Sequence, residues 1–167
     1  MDLVTGAGVT VAMTVPMSRE RVWERVTAVE RIGEWSPETV GASWCAPATA
    51  AVPGGRFRGH NVFPGGFAST VTCEVVALQK PEVFAWTVLD QDGRAGSVWR
   101  YELGDGDEPG TTVVRHTFTH GPGDTGVRAE AATDPGTLHS RLTTLCGNMV
   151  GTIAAMTSAD VSAGGAR

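Results

Sequence analysis

Asn61, Tyr101 and His116 are the residues whose types and spacing could support chemistry inside this chain. Each lies in a stretch where apolar and polar residues alternate, and each shares its face with aromatic side chains. An imidazole titrates near neutral pH and can act as a general acid or base, while a phenol or an amide can orient a substrate. The sequence identifies no partner that would orient His116. We therefore predict no catalytic residue, and we expect an enzyme, if this were one, to use these three.

Motifs of common catalytic and metal centres are not found in the sequence. It has no Gly-x-Ser-x-Gly elbow, no Gly-rich phosphate loop and no His-Glu-x-x-His pair. His116 and His120 lie four residues apart in one stretch, and Asp124 could add a carboxylate, but this spacing matches known zinc sites only weakly. We expect no metal and no cofactor.

The composition is that of a globular domain with an acidic balance. The chain has 167 residues, 41% of them hydrophobic, and a net charge of −5. That charge argues against a nucleic-acid partner and against an anionic membrane surface, and no apolar run approaches the roughly 20 residues of a membrane span. We see no secretory signal, and Cys45, Cys73 and Cys146 lack metal or disulfide spacing. We expect buried free thiols in a cytoplasmic monomer or weak dimer.

A long helix over residues 134–156 is the element around which the others must be arranged. Asp134 is the expected N-cap, and Pro135 suits the first helical position. Gly147 and Gly151 weaken the helix interior, so we expect backbone or ligand to approach them closely, unless they face away from the pocket. Steps of three and four residues place large apolar side chains on one face, namely Leu138, Leu142, Leu145, Met149, Ile153 and Met156.

The remaining sequence predicts strands and short helices. A strand over residues 9–15 precedes two short helices, the first capped by Ser18 and the second over 29–35. Turns rich in Gly, Pro and Asp separate six further alternating stretches, which indicates an antiparallel meander. These strands are predicted at residues 40–45, 55–62, 69–78, 83–89, 96–103 and 111–119.

We predict one α+β domain over residues 9–159, a flexible N-terminus over 1–8 and a disordered tail over 160–167. A helical turn is expected within 127–132. Seven strands and one dominant helix must share a core, so the sheet should curve around the helix, with the short helices closing one end. So few strands leave space, and a cavity between sheet and helix is the expected result.

Alternation also assigns the faces of the strands. We predict that the outer face carries the charged residues Arg56, Arg58, Arg100, Glu102 and Arg115. The inner face is mostly aromatic with a few polar groups, which is typical of a small-molecule site. The predicted ligand-binding residues, with the first and fourth at the mouth, are Trp35, Phe57, Asn61, Phe63, Trp86, Trp99, Tyr101, His116, Phe118, Leu142, Leu145 and Met149.

Four segments carry a resemblance to a known family. They are residues 16–23 (PMSRERVW), 32–37 (IGEWSP), 55–61 (GRFRGHN) and 98–103 (VWRYEL). With the order of elements, they resemble the Bet v 1/START-like (SRPBCC) superfamily, and most closely its polyketide cyclase/dehydrase and lipid-transport group. The resemblance implies a helix-grip fold: a seven-stranded curved antiparallel sheet wrapped around a long C-terminal helix. Its members include binding proteins, carriers, aromatase/cyclases and self-resistance proteins of antibiotic producers, so it does not decide the activity.

Our leading interpretation is a binding protein for an apolar, aromatic or polyketide-derived small molecule, in secondary metabolism and antibiotic biosynthesis. One alternative, which rests on the resemblance, is a polyketide cyclase, aromatase or dehydratase that uses His116, Tyr101 and Asn61. Another is a self-resistance protein that sequesters a reactive antibiotic such as an enediyne. A protein-interaction module resembling the activator domain of the Hsp90 chaperone would need an exposed docking patch, and we identify none in the sequence.

Overall fold

Seven strands form one antiparallel sheet in the order β1-β7-β6-β5-β4-β3-β2 in the computed structural model, which describes residues 1–158. The strands are β1 Gly8–Val15, β2 Thr39–Trp44, β3 Arg56–Val62, β4 Ala68–Gln79, β5 Val83–Leu89, β6 Ala95–Asp105 and β7 Thr112–His120. Each predicted strand is present, and its ends differ from the prediction by at most two residues. β1 and β2 are the edges, so the sheet curves without closing into a barrel.

Helices precede and follow the long meander, as predicted. They are α1 Arg19–Thr27, a 3-10 helix Val29–Glu34, α2 Arg128–Thr133 and α3 Pro135–Met156. The Asp134 carboxylate accepts a hydrogen bond from the Gly136 N–H at 2.9 Å, which caps α3. The Ser18 hydroxyl accepts from the Arg21 N–H at 3.4 Å at the start of α1. The α+β helix-grip fold that the resemblance implies is confirmed.

The second short helix differs from the prediction in type and in its end. It is a 3-10 helix that ends at Glu34, and residues 35–38 connect it to β2. Gly33 permits this close packing: a Cβ there would collide with the carbonyl oxygen of Val40. A residue with a side chain at this position would force the 3-10 helix away from β2.

The core lies between the inner face of the sheet, α1 and one face of α3. Ile153 is 0% exposed and Met156 is 1% exposed, and Phe84 on β5 is 0% exposed. Gly147 and Gly151 are exposed, and a Cβ built on either would meet no described atom within 4 Å. The close approach expected at these glycines is therefore wrong for the part of the chain that the structure describes, and they face away from the core.

The N-terminal segment makes contacts that the sequence pattern did not indicate. Val4 is buried against Val127 and Ala131. The Arg128 guanidinium lies 2.9 Å from the Asp2 carboxylate, and the Gly6 N–H donates to the His120 carbonyl at 2.8 Å. The predicted flexible N-terminus remains a prediction about motion, and the predicted tail over 160–167 lies outside the described residues.

The cysteines are all free, but only Cys73 is buried; Cys45 and Cys146 are half-buried. The expectation of three buried thiols is thus correct for Cys73 alone. Burial raises the pKa of the Cys73 thiol to about 12, so it is protonated and unreactive at neutral pH. Within residues 1–158, the helices all fall short of the length and apolar character needed to cross a bilayer.

Candidate functional site

Aromatic rings from β5, β6 and β7 form a continuous cluster on the inner face of the sheet. Trp86 and Trp99 are direct cross-strand partners, with ring centres 6.2 Å apart and planes inclined by 5°. Tyr101 and His116 are also cross-strand partners and stack at 3.7 Å. Phe118 meets Trp99 edge to face at 4.7 Å. Alternation of apolar and polar residues places these rings together, because inward residues of neighbouring strands stand opposite each other.

The inner face of the sheet is not evenly buried. At one end Tyr101, Leu103 and Val114 are buried. Farther toward Asn61 a set of inward residues stays half-buried among buried neighbours such as Cys73 and Phe118. This set is Asn61, Val71, Trp86, Val88 and Trp99 on the sheet and Leu142 on the helix. The apolar members of this set pack against the core but stay partly open to solvent. We call the space bounded by these six residues the groove.

The groove has a polar clasp at its rim. The Arg141 guanidinium on α3 donates to both oxygens of the Glu38 carboxylate, at 2.7 and 2.8 Å, just before the edge strand β2. The Asn148 amide donates to the same carboxylate at 2.9 Å. Arg141 also lies over the Phe63 ring, 5.6 Å from its centre. The clasp therefore joins the sheet edge to the helix across the rim of the groove.

The predicted ligand-binding residues divide into two groups by burial. Half of them are half-buried, where a ligand can meet them: Trp35, Asn61, Phe63, Trp86, Trp99 and Leu142. The other half pack in the core: Phe57, Tyr101, His116, Phe118, Leu145 and Met149. Aromatic side chains thus fill the deep part of the space predicted as a cavity. The open part lies nearer to Leu142 than to Met149, which is only 3% exposed.

The three residues that an enzyme would use are not brought together. His116 and Tyr101 stack, but Asn61 lies on β3 and pairs in register with Ser69 on β4, at the open end of the sheet. The Asn61 carbonyl oxygen accepts a hydrogen bond from the Thr39 hydroxyl at 2.9 Å. A single small substrate group would not reach all three side chains.

His116 is held neutral inside the cluster. Its Nδ1–H donates to the Arg100 carbonyl at 3.0 Å, which leaves Nε2 as the unprotonated nitrogen. Burial lowers the pKa of His116 to about 4, and the hydrogen bond opposes that shift only in part. Burial also raises the pKa of Tyr101 above its ordinary value. At neutral pH the stacked pair therefore carries no charge.

His120 is a functional candidate that the sequence analysis considered only as a metal ligand. It is 5% exposed, and its ring meets Phe118 edge to face at 4.7 Å. Burial lowers its pKa, and the nearby charges of Arg128 and Arg141 lower that pKa further. Among the described residues no group of three or more His, Cys, Asp or Glu side chains is placed to hold a metal ion. The alternation that placed His116 inward also places His120 inward.

A separate surface cleft of about 410 Å³ lies at the other end of the sheet. Trp23 and Trp44 line it, with Glu24, Glu30 and Lys80. The Trp44 indole N–H donates to the Glu30 carboxylate at 3.2 Å. Its polar groups belong to a solvated surface, and none of the predicted ligand-binding residues lines it.

The same fold occurs in solved structures. Protein NE0264 from Nitrosomonas europaea is 16% identical, with a TM-score of 0.64, and the match covers 90% of this chain and 91% of that one. The Polyketide_cyc-like protein Cgl2372 from Corynebacterium glutamicum is 22% identical, with a TM-score of 0.60, over 90% of this chain and 89% of that one. At such identities the likeness shows the fold alone.

A third similar structure is StfQ, a di-domain ARO/CYC from the steffimycin biosynthetic pathway. It is 17% identical, with a TM-score of 0.66, over 95% of this chain and 52% of the longer StfQ chain. No curated protein matches the sequence. Residues 7–152 match the family described as polyketide cyclase/dehydrase and lipid transport. Because that match covers most of the chain, the protein belongs to this family.

Proposed function

We propose that this protein binds an apolar, aromatic or polyketide-derived small molecule in the groove between the sheet and α3. The observation that carries the proposal is the pair Trp86 and Trp99, which point inward and stack yet remain half-buried. Large apolar rings left partly open to solvent inside a fold gain free energy when a ligand covers them. Membership of the polyketide cyclase/dehydrase and lipid-transport family supports the same class of ligand.

The chemistry of the groove favours a flat, mostly apolar ligand. An aromatic ring packed on Trp86 or Trp99 gains about 0.5–1.5 kcal/mol beyond simple burial. Leu142 offers an aliphatic surface on the opposite side, and Asn61 supplies an amide at the open end. The charged groups of Glu38 and Arg141 satisfy each other at the rim. An extended, highly charged ligand would have to leave its charges in solvent.

Calorimetric titration with three- and four-ring aromatic polyketides tests the proposal. We expect binding that weakens at least about tenfold in Leu142→Trp, because the larger side chain fills the groove. Val113→Trp is the matched control, since Val113 is a partly exposed aliphatic residue on the opposite face of β7. Equal affinities in the two variants, or no binding to the native protein, would overturn the proposal.

A second candidate function is cyclisation or dehydration of a polyketide chain. It is supported by the neutral imidazole of His116, whose unprotonated Nε2 is suited to accept a proton. The structural similarity to StfQ is consistent with this role but shows only the fold. Product formation from a linear polyketide intermediate, lost in a folded His116→Gln variant, would establish it; unchanged turnover would remove His116 from the reaction. Within the described residues, no feature favours antibiotic self-resistance over simple binding.

A further inference from the structure

We propose that His120 is the polar anchor of the groove and that it binds an acidic hydroxyl, a phenol or an enol, on the ligand. This inference rests on the proposed function, because it requires a ligand in the groove. The proposal adds a named ligand group and the side chain that recognises it.

The register of the sheet places His120 one row farther toward Asn61 than Trp99 and Phe118. One transverse row of inward residues crosses the sheet from β3 to β7, with each member paired to the next. It consists of Phe57, Cys73, Val88, Ser97 and His120. Val88 in this row is one of the half-buried residues that define the groove. The ring of His120 touches Phe118, which in turn touches Trp99 in the groove.

The His120 side chain has unused hydrogen-bonding capacity. Neither ring nitrogen has a hydrogen-bond partner anywhere in residues 1–158, although the residue is only 5% exposed. A buried polar group without a partner costs about 1–3 kcal/mol, so proteins rarely keep one without a use. His116 is also buried on the inner face of β7, but its Nδ1–H donates a hydrogen bond to the Arg100 carbonyl. Within residues 1–158 the two inward histidines of β7 therefore differ: His116 has one ring nitrogen bonded inside the protein, whereas His120 has neither.

The neutral imidazole of His120 suits a neutral hydrogen-bonding group, and the two nearby arginines are each already paired with a carboxylate. Arg128 is fully engaged, since it donates to Asp2, Thr5, Gly121 and Gly123. Arg141 is neutralised by the Glu38 carboxylate. A neutral imidazole between them offers one donor and one acceptor. A phenol or enol hydroxyl also offers one of each, so it can donate to the bare nitrogen of His120 while its ring lies against the aromatic cluster.

Access to His120 requires one wall side chain to move. Both ring nitrogens are shielded from solvent, and the charge of Arg141 is close enough to lower the pKa of the imidazole. Arg141 is a half-buried side chain of α3 at the rim, so its movement costs the ion pair with Glu38 but disturbs no packed core. A hydroxylated ring that enters beside Trp99 can therefore reach the imidazole.

The test compares 2-naphthol with naphthalene, which share a ring system and differ by one hydroxyl. Affinities are measured by quenching of the intrinsic tryptophan fluorescence in the native protein, His120→Leu, His120→Gln and the control His60→Leu. His60 is exposed on the outer face of β3, where Nδ1 lies 3.1 Å from the Thr70 hydroxyl. We expect the native protein and His60→Leu to prefer 2-naphthol by about five- to tenfold, the range of one net hydrogen bond.

In His120→Leu this preference should vanish while naphthalene affinity stays within about twofold; His120→Gln, which keeps a donor and an acceptor, should retain part of it. The ring ¹⁵N shifts of His120 in the native protein, assigned through its backbone resonances, should also move on addition of 2-naphthol but not of naphthalene. These shifts decide the matter even if the variants fail to fold. Binding of both probes without a preference, or an unmoved His120 signal, overturns the anchor while leaving the proposed function intact. Failure of both probes to bind counts against the groove itself.

Discussion

At the scale of single residues, His116 makes the stability of the protein depend on pH. Its pKa is about 4 in the folded protein against 6.5 in an unfolded chain, so folding disfavours the protonated form. The stability that goes with the neutral ring is fully present above pH 6.5 and is lost as the pH falls from 6.5 toward 4. The free energy of unfolding should fall by about 3 kcal/mol over this range, because each unit of pKa difference corresponds to about 1.4 kcal/mol.

Urea unfolding at a series of pH values checks this expectation. His116→Gln should be less stable than the native protein at neutral pH, and the difference should shrink as the pH falls from 6.5 to 4. His60→Gln is the control, since that residue is exposed and should leave the pH profile unchanged. Parallel profiles for the native protein and His116→Gln would show that His116 is not the group responsible.

The sequence predicted which residues of each strand face inward but not the clasp. Trp86 and Trp99 could be placed on one face because a strand repeats every two residues and short turns fix the register. Glu38 and Arg141 are 103 residues apart, on a loop and on a helix, and no periodic pattern relates such positions. The unpartnered state of His120 was equally inaccessible, because it depends on what the surrounding chain does not offer. The sequence pattern therefore predicts which face of a strand or helix a residue occupies, whereas contacts between distant residues are seen only in the structure.

At the scale of elements, α3 carries two glycines that its packing does not require. Gly147 and Gly151 are exposed in the helix interior, and an added Cβ meets no described atom within 4 Å at either. Each Gly→Ala change should stabilise the protein by about 0.5–1 kcal/mol through helix propensity. The measurement is the midpoint of urea unfolding for each variant and for the double variant.

Gly33→Ala is the contrasting variant, because its Cβ would collide with the Val40 carbonyl. It should destabilise the protein by about 1–3 kcal/mol, as other changes that force packed backbone apart do. A destabilising Gly147→Ala would mean that this surface of α3 is in contact with something outside residues 1–158.

The two ends of α3 should respond differently to substitution. Ile153 is fully buried, so Ile153→Ala should cost about 2–5 kcal/mol of stability and leave ligand affinity nearly unchanged. Leu142→Trp should do the reverse, since Leu142 is half-buried beside the groove. Urea unfolding and calorimetric titration of both variants test this assignment. A larger loss of ligand affinity in Ile153→Ala than in Leu142→Trp would mean that the ligand lies near the C-terminal end of α3 and not near Leu142.

The helix itself was predictable to the residue, from its N-cap at Asp134 to its last apolar contact at Met156. The packing of α3 against the sheet could not be predicted from the sequence. Spacing of three and four identifies the buried face, but Leu142 and Met149 belong to that face equally in the sequence and differ in exposure in the fold. The reason is that periodicity gives the direction of a side chain and not the packing of the elements opposite it.

At the scale of the whole molecule, the clasp should contribute to stability as a partly buried ion pair. Glu38→Gln leaves Arg141 without its carboxylate partner and should cost about 1–3 kcal/mol. Glu34→Gln is a matched control, because Glu34 is also paired with an arginine at 2.9 Å but with both side chains about half exposed. That change should cost roughly 0–1 kcal/mol. Similar losses in the two variants would show that the clasp is no stronger than a surface ion pair.

An open sheet closed against its helix by one ion pair has a consequence for the kinetics of ligand exchange. A ligand that passes the rim must first separate Glu38 from Arg141, and the same separation precedes its escape. Salt weakens that pair before either event, so it lowers both barriers by the same amount. Association and dissociation rates should therefore rise together with ionic strength while the equilibrium affinity stays constant. Residence time in the groove would then depend on ionic strength as well as on the contacts of the ligand.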